Sequence, residues 1–86
     1  MDINQLSNIV KKKILDNELI EEVELEDKSF LHKKHKSNIP SKFHIKIKIK
    51  SKKLKNMNRI ESNKFVYRLL DKEMKKYIHS LQILFF

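Results

Sequence analysis

Residues 58–81, NRIESNKFVYRLLDKEMKKYIHSL, decide the fold. Ile60, Tyr67, Leu70, Met74 and Tyr77 recur at helical spacing, and Val66 and Leu69 widen the stripe. Such a pattern predicts an amphipathic helix over 58–76 with one face in a core. Asn58 is a good N-cap, and Glu61 three residues on suits a capping box. Lys75 and Lys76 fall in the last turn, where positive charge favours the helix dipole. A strand over 78–85 follows with almost no linker, and His79 lies at the junction.

Working outward, residues 2–16 predict a first helix capped by Asp2, with Ile3, Leu6, Ile9, Val10 and Ile14 on one stripe. Residues 20–26 alternate, Val23 and Leu25 against Glu22, Glu24 and Glu26, which is the pattern of a half-buried strand. Residues 27–42 have no sustained period and contain the only proline, so they read as a long loop. Residues 43–51 are the clearest strand, with Phe43, Ile45, Ile47 and Ile49 alternating with His44, Lys46, Lys48 and Lys50. The three glutamates suit an antiparallel neighbour that sets them against those lysines. Residues 52–57 turn the chain, with Leu54 as the buried anchor. Asn56 is the residue there best able to adopt a left-handed conformation, since the chain has no glycine. The order α-β-β-α-β, ending in a parallel strand–helix–strand crossover, predicts one α/β (α+β) domain over residues 1–86. Its core is a three-stranded mixed sheet with two helices on one face.

Composition narrows the function. With 86 residues the chain has room for one modest core. The absence of cysteine excludes disulfides and a thiolate metal site built from this chain alone. No apolar run approaches the roughly 18–20 residues of a membrane span, and the start lacks a signal-peptide pattern, so a cytoplasmic protein is expected. The net charge of +9 is uneven: residues 16–27 carry seven acidic side chains and no basic one, whereas residues 28–86 carry seventeen basic and three acidic. A basic body suits nucleic acid or an acidic protein surface, although a lysine-rich solvated exterior gives the same count. No nucleophile–base constellation is present, and no glycine-rich phosphate loop is possible, so catalysis is not expected. Asp71 and Glu73, beside lysines near a helix end, read as a solvated face.

Several short motifs then occur in one order. VELED (Val23 to Asp27) resembles an LEVxD first strand, and DKSFLHKKH resembles a D-E-S-x-x-H loop with His32 in the histidine's place. His44-Ile45 followed by the Lys/Ile run and Ser51 resembles HF…VS. Leu54 to Asn58 stands where FxGxS would. Val66-Tyr67, Leu69-Leu70 and Glu73 resemble VYxxLxxE, and His79-Ser80-Leu81 resembles HAL. Together they resemble BolA-like proteins over nearly the whole chain. The departures are Ser62-Asn63-Lys64 in place of RHR, and Asn56 in place of the turn glycine.

The resemblance implies a class II KH-like fold and partnership with a monothiol glutaredoxin. It further implies a shared [2Fe–2S] cluster, used in cluster delivery or iron sensing, with thiolates from the glutaredoxin cysteine and glutathione. The histidines it implies as ligands are His79 and His32, with His35 as substitute. Without the family, His79 is one boundary histidine, and the H-x-x-H of His32 and His35 lies in a loop with no fixed chelating face. Two histidines half fill a tetrahedral site, which points to shared ligation. His44 reads as a strand-surface residue paired with a carboxylate or water.

The rival expectation is weak, salt-sensitive DNA binding in transcription regulation, with Lys52, Lys53, Lys55, Arg59, Lys64 and Arg68 contacting phosphates. Against RNA, a KH clamp needs a GxxG loop that this sequence lacks. With only two arginines in the chain, sequence-specific reading of base edges is not expected. A homodimer is a further expectation, from the apolar Ile78, Leu84 and Phe86 of the last strand.

Overall fold

A computed structural model describes residues 2–28 and 43–86. The elements are α1 (Ile3–Leu15), β1 (Glu22–Asp27), β2 (Phe43–Lys50), α2 (Lys52–Asn56), α3 (Arg59–Leu69), α4 (Asp71–Lys76) and β3 (Ile78–Phe85).

Helix α1 starts where the sequence places it. The Gln5 amide donates to the Asp2 carboxylate at 2.8 Å, and the Asp2 amide donates to the Gln5 side chain at 3.0 Å. This reciprocal capping box satisfies two amides that would otherwise lack helix partners. Leu6, Val10 and Ile14 then lie fully buried on one face.

The sheet has the order β1-β2-β3, with β2 antiparallel to β1 and parallel to β3. Glu22, Glu24 and Glu26 sit opposite Lys50, Lys48 and Lys46, the alignment that alternating charge favours. Ile45, Ile47 and Ile49 project from the other face into the core. There they meet Leu6, Val10 and Ile14 of α1, Leu54 of α2, Val66 of α3 and the buried Leu70. Among the described residues, no helix is long and apolar enough to cross a membrane.

Glu26 lies 3.1 Å from Lys48 and 3.1 Å from Lys28. Lys48 first, and then Lys28, hold its carboxyl below the usual value of 4.5. A lowered carboxyl adds stability above its unfolded-state pKa, and that stability is lost as pH falls through the lower folded value. The pair is solvated, so the contribution is small and salt-sensitive. Glu26→Gln should therefore flatten the fall of thermal midpoint between pH 5 and pH 3 at low salt, on the order of a degree or two. A midpoint curve parallel to wild type across that range refutes the ion-pair account.

The second half of the chain departs from the sequence reading in several ways. Residues 52–56 form a short helix instead of a plain turn. Ser51 caps it by accepting the Leu54 amide at 3.2 Å, and Leu54 is buried. Asn56 is the last residue of that helix, and no described residue has a positive φ. The chain turns instead through extended Met57, at φ −74° and ψ 161°.

The predicted helix over 58–76 is divided at Leu70, whose φ of −108° and ψ of 17° leave the helical region. Hydrogen bonding continues across the division: the Leu70 amide donates to the Val66 carbonyl, and the Met74 amide donates to the Leu70 carbonyl. Asn58 caps α3 through the Ile60 amide at 2.8 Å, a one-sided cap in place of the box with Glu61.

The buried face also differs. Val66 and Leu70 of the predicted stripe are buried, and Leu69, Met74 and Tyr77 pack against the core, but Ile60 is 64% and Tyr67 40% exposed, and Ser62 and Glu73 complete the buried face instead. Tyr67 is engaged through its hydroxyl, which donates to the Leu81 carbonyl of β3 at 3.3 Å. Glu73 is not on a solvated face. It is buried, and both its carboxylate oxygens lie 2.7 Å from the Lys13 ammonium of α1. Asp71 is exposed and pairs with Lys75, as its position predicts.

Candidate functional site

The site is built at the start of β3. Phe43 pairs with Ile78 and His44 pairs with Ser80, so one extra residue, His79, is accommodated on β3 between the two pairs. Bulges of this kind re-aim a side chain out of strict alternation. Ile78 is buried, and His79 is exposed.

The His79 ring lies 4.9 Å, centroid to centroid, from that of His44, with the planes inclined at 58°. His44 is not the surface residue that alternation predicts. It is only 5% exposed, and its Nδ1 lies 2.7 Å from Ser80 Oγ. The register explains the contact, because Ser80 stands directly across from His44.

Three strand ends converge here. The Lys28 amide donates to the His44 carbonyl at 2.7 Å, and the Phe43 amide donates to the Tyr77 carbonyl at 2.8 Å. Lys28 and Phe43, the described residues on either side of 29–42, are therefore tied to the strand ends that carry the histidine pair. His32 and His35, the expected loop ligands, lie outside the described residues.

The donor set is small. Among the described residues, no three His, Cys, Asp or Glu side chains stand close enough to hold a metal ion. An exposed imidazole with a second ring beside it can donate to a centre completed by another molecule, but it cannot enclose one.

The six basic residues singled out in the sequence are all exposed, and none takes part in an ion pair among the described residues. Two of them, Lys55 and Arg59, edge an open hollow of about 490 Å³ whose apolar lining includes Leu54, Met57, Ile83 and Phe85. The hollow lies toward the far end of β3 from His79, on the order of 15 Å along the strand. Of the residues expected to serve self-association, Leu84 and Phe86 are exposed, but Ile78 is buried and cannot contribute.

Sequence reading missed His44. Strand alternation gave it to solvent, and only the pairing of β2 with β3, which is not written in either strand alone, puts Ser80 and His79 against it.

Residues 15–86 match a family model described as BolA-like protein. Among solved structures, the BolA domain of SufE1 from Arabidopsis thaliana is similar with a TM-score of 0.79 at 23% identity, covering 98% of this chain and 93% of that one. BolA1 from Arabidopsis thaliana is similar with a TM-score of 0.75 at 28% identity, covering 92% of this chain and 87% of that one. No match to a curated protein sequence was found.

Proposed function

Since the chain belongs to the BolA-like family, we propose that it is a non-enzymatic adaptor that binds a monothiol glutaredoxin and shares a [2Fe–2S] cluster with it. Cluster delivery or iron sensing is the corresponding role. The observation that carries this reading is His79 itself. It is exposed on a bulge beside a second imidazole, in a donor set that among the described residues is too small to hold a metal alone.

The residues fit the group. His79 would supply one nitrogen, and His32, or His35 in its place, a second. The glutaredoxin cysteine and glutathione would supply thiolates. A neutral imidazole in place of a thiolate makes such a cluster less negative and raises its potential. What this chain does is present His79 to solvent, fix the strand ends around it, and leave the rest of the coordination to the partner.

Anaerobic reconstitution of the pair, read by visible circular dichroism, tests the proposal. His79→Ala should abolish the signature of the mixed complex. His32→Ala should weaken it, with His32→Ala/His35→Ala weaker still. A spectrum unchanged by His79→Ala overturns the ligand assignment.

A second reading is favoured by the hollow and the six exposed cations. They suit a DNA backbone, with regulation of transcription as the role. Fluorescence anisotropy against duplex DNA from 50 to 200 mM salt should show affinity falling by about 40- to 150-fold if three or four phosphates are contacted. Lys55→Ala/Arg59→Ala should flatten that slope. No binding at 50 mM salt eliminates this reading.

A further inference from the structure

Resting on the reading of His79 as a shared ligand, we infer that His44 and Ser80 are positioning residues that hold the His79 ring ready for a metal centre. A bulge frees a side chain from the alternation of its strand, and an exposed side chain has rotamer freedom to lose on ligation. Something other than the ladder must therefore limit the His79 ring. The structure provides it in two parts.

The first part is a wall. His44 comes from the central strand and is 5% exposed, so its own ring is fixed by its surroundings. At 4.9 Å and 58° it meets the His79 ring in the tilted arrangement that aromatic pairs prefer.

The second part is a clamp. The 2.7 Å contact between His44 Nδ1 and Ser80 Oγ spans β2 and β3 next to the extra residue. A hydroxyl can donate or accept, so the contact persists with either tautomer of the His44 ring. It fixes the backbone on the C-terminal side of His79, while the pairing of Phe43 with Ile78 fixes the N-terminal side. Held on both flanks and against one wall, the His79 ring keeps few orientations. Outer-shell hydrogen bonds to a ligating histidine are typically worth 10–100-fold in metal affinity, and a packing wall without such a bond belongs at the low end, about tenfold.

The test uses the full chain in two states. In the apo protein, proton–nitrogen spectra and nuclear Overhauser contacts of the imidazoles at fixed pH report the His79 rotamer. With the glutaredoxin, visible circular dichroism and the rate of cluster loss to a chelator report ligation. Ser80→Ala and His44→Gln should replace the single His79 orientation with averaging and speed cluster loss by about tenfold. Ser80→Thr, which keeps the hydroxyl, should restore both readouts. Backbone amide spectra superimposable on wild type show that each variant folds, and Ser80→Ala supplies the milder change if His44→Gln does not. An unchanged His79 rotamer and an unchanged rate in Ser80→Ala and His44→Gln overturn the inference. His79→Ala, measured alongside, separates the two claims. If it leaves the cluster signature intact, the ligand reading falls. If it removes the signature while Ser80→Ala does nothing, only the positioning role falls.

Discussion

Ile47→Ala should lower the unfolding free energy by about 3–4 kcal/mol, the largest single loss expected among these side chains. Ile47 has no exposed surface, and it sits on the central strand between Leu25 of β1 and Ile83 of β3. Deleting three carbons forfeits their transfer free energy, and it also leaves a cavity. The cavity cannot close, because strand pairing on both sides fixes the backbone that would have to move. A chain of this size has on the order of 4–13 kcal/mol in total, so the variant would keep little margin. Urea denaturation should show a lower midpoint with an unchanged slope, the signature of lost stability without a change in exposed surface. Ile47→Val, which removes one methyl, should cost about 1 kcal/mol. Ile60→Ala, at a residue 64% exposed, should stay within about 0.5 kcal/mol. A loss at Ile60 equal to that at Ile47 would mean the core is misplaced.

Lys13→Met should cost about 3 kcal/mol at neutral pH, and more than Glu73→Ala, at about 2 kcal/mol. The order follows from unequal burial. The Glu73 side chain is 5% exposed, whereas that of Lys13 is 38% exposed. When Glu73 is removed, the Lys13 ammonium can swing into water. When Lys13 is removed, the carboxylate stays enclosed with neither of its oxygens compensated. Lys13→Met/Glu73→Leu should recover most of the loss, since a buried ion pair is often no better than an apolar pair of similar shape. Chemical denaturation of the four proteins in a double-mutant cycle gives the coupling directly. Equal single losses that simply add would show that the pair contributes nothing as a pair.

The parts of this fold that were legible are those fixed by neighbours in sequence. In α1 the cap, the stripe of Leu6, Val10 and Ile14 and the helix end all lie within one short segment, and each is where spacing puts it. That the glutamates of β1 face the lysines of β2 was also legible from their alternation, while the particular pairs, such as Glu22 with Lys50, come from the pairing itself. The C-terminal helices were harder to read. Their buried face includes Ser62 and Glu73, two polar residues, so an apolar count rotates the helix toward Ile60 and Tyr67. Glu73 is buried because of Lys13, sixty residues earlier, and no local pattern carries that distance. Nor does any proline or glycine mark the division at Leu70. At the candidate site the same limit applies. His79 stood out at its junction, but its companion ring belongs to another strand, and the bulge between them exists only in the pairing.

Every described residue has a negative φ, in a chain that contains no glycine. That pattern bears on the denatured ensemble more than on the native contacts. Each residue carries a Cβ that already narrows its backbone choices before folding begins, so less disorder has to be surrendered than in a glycine-bearing chain of equal length. At none of the described positions would an alanine force a methyl into forbidden backbone space. Alanine scanning at the described positions therefore meets no backbone clash, and a glycine introduced at Asn56 should weaken the domain by relaxing its unfolded form.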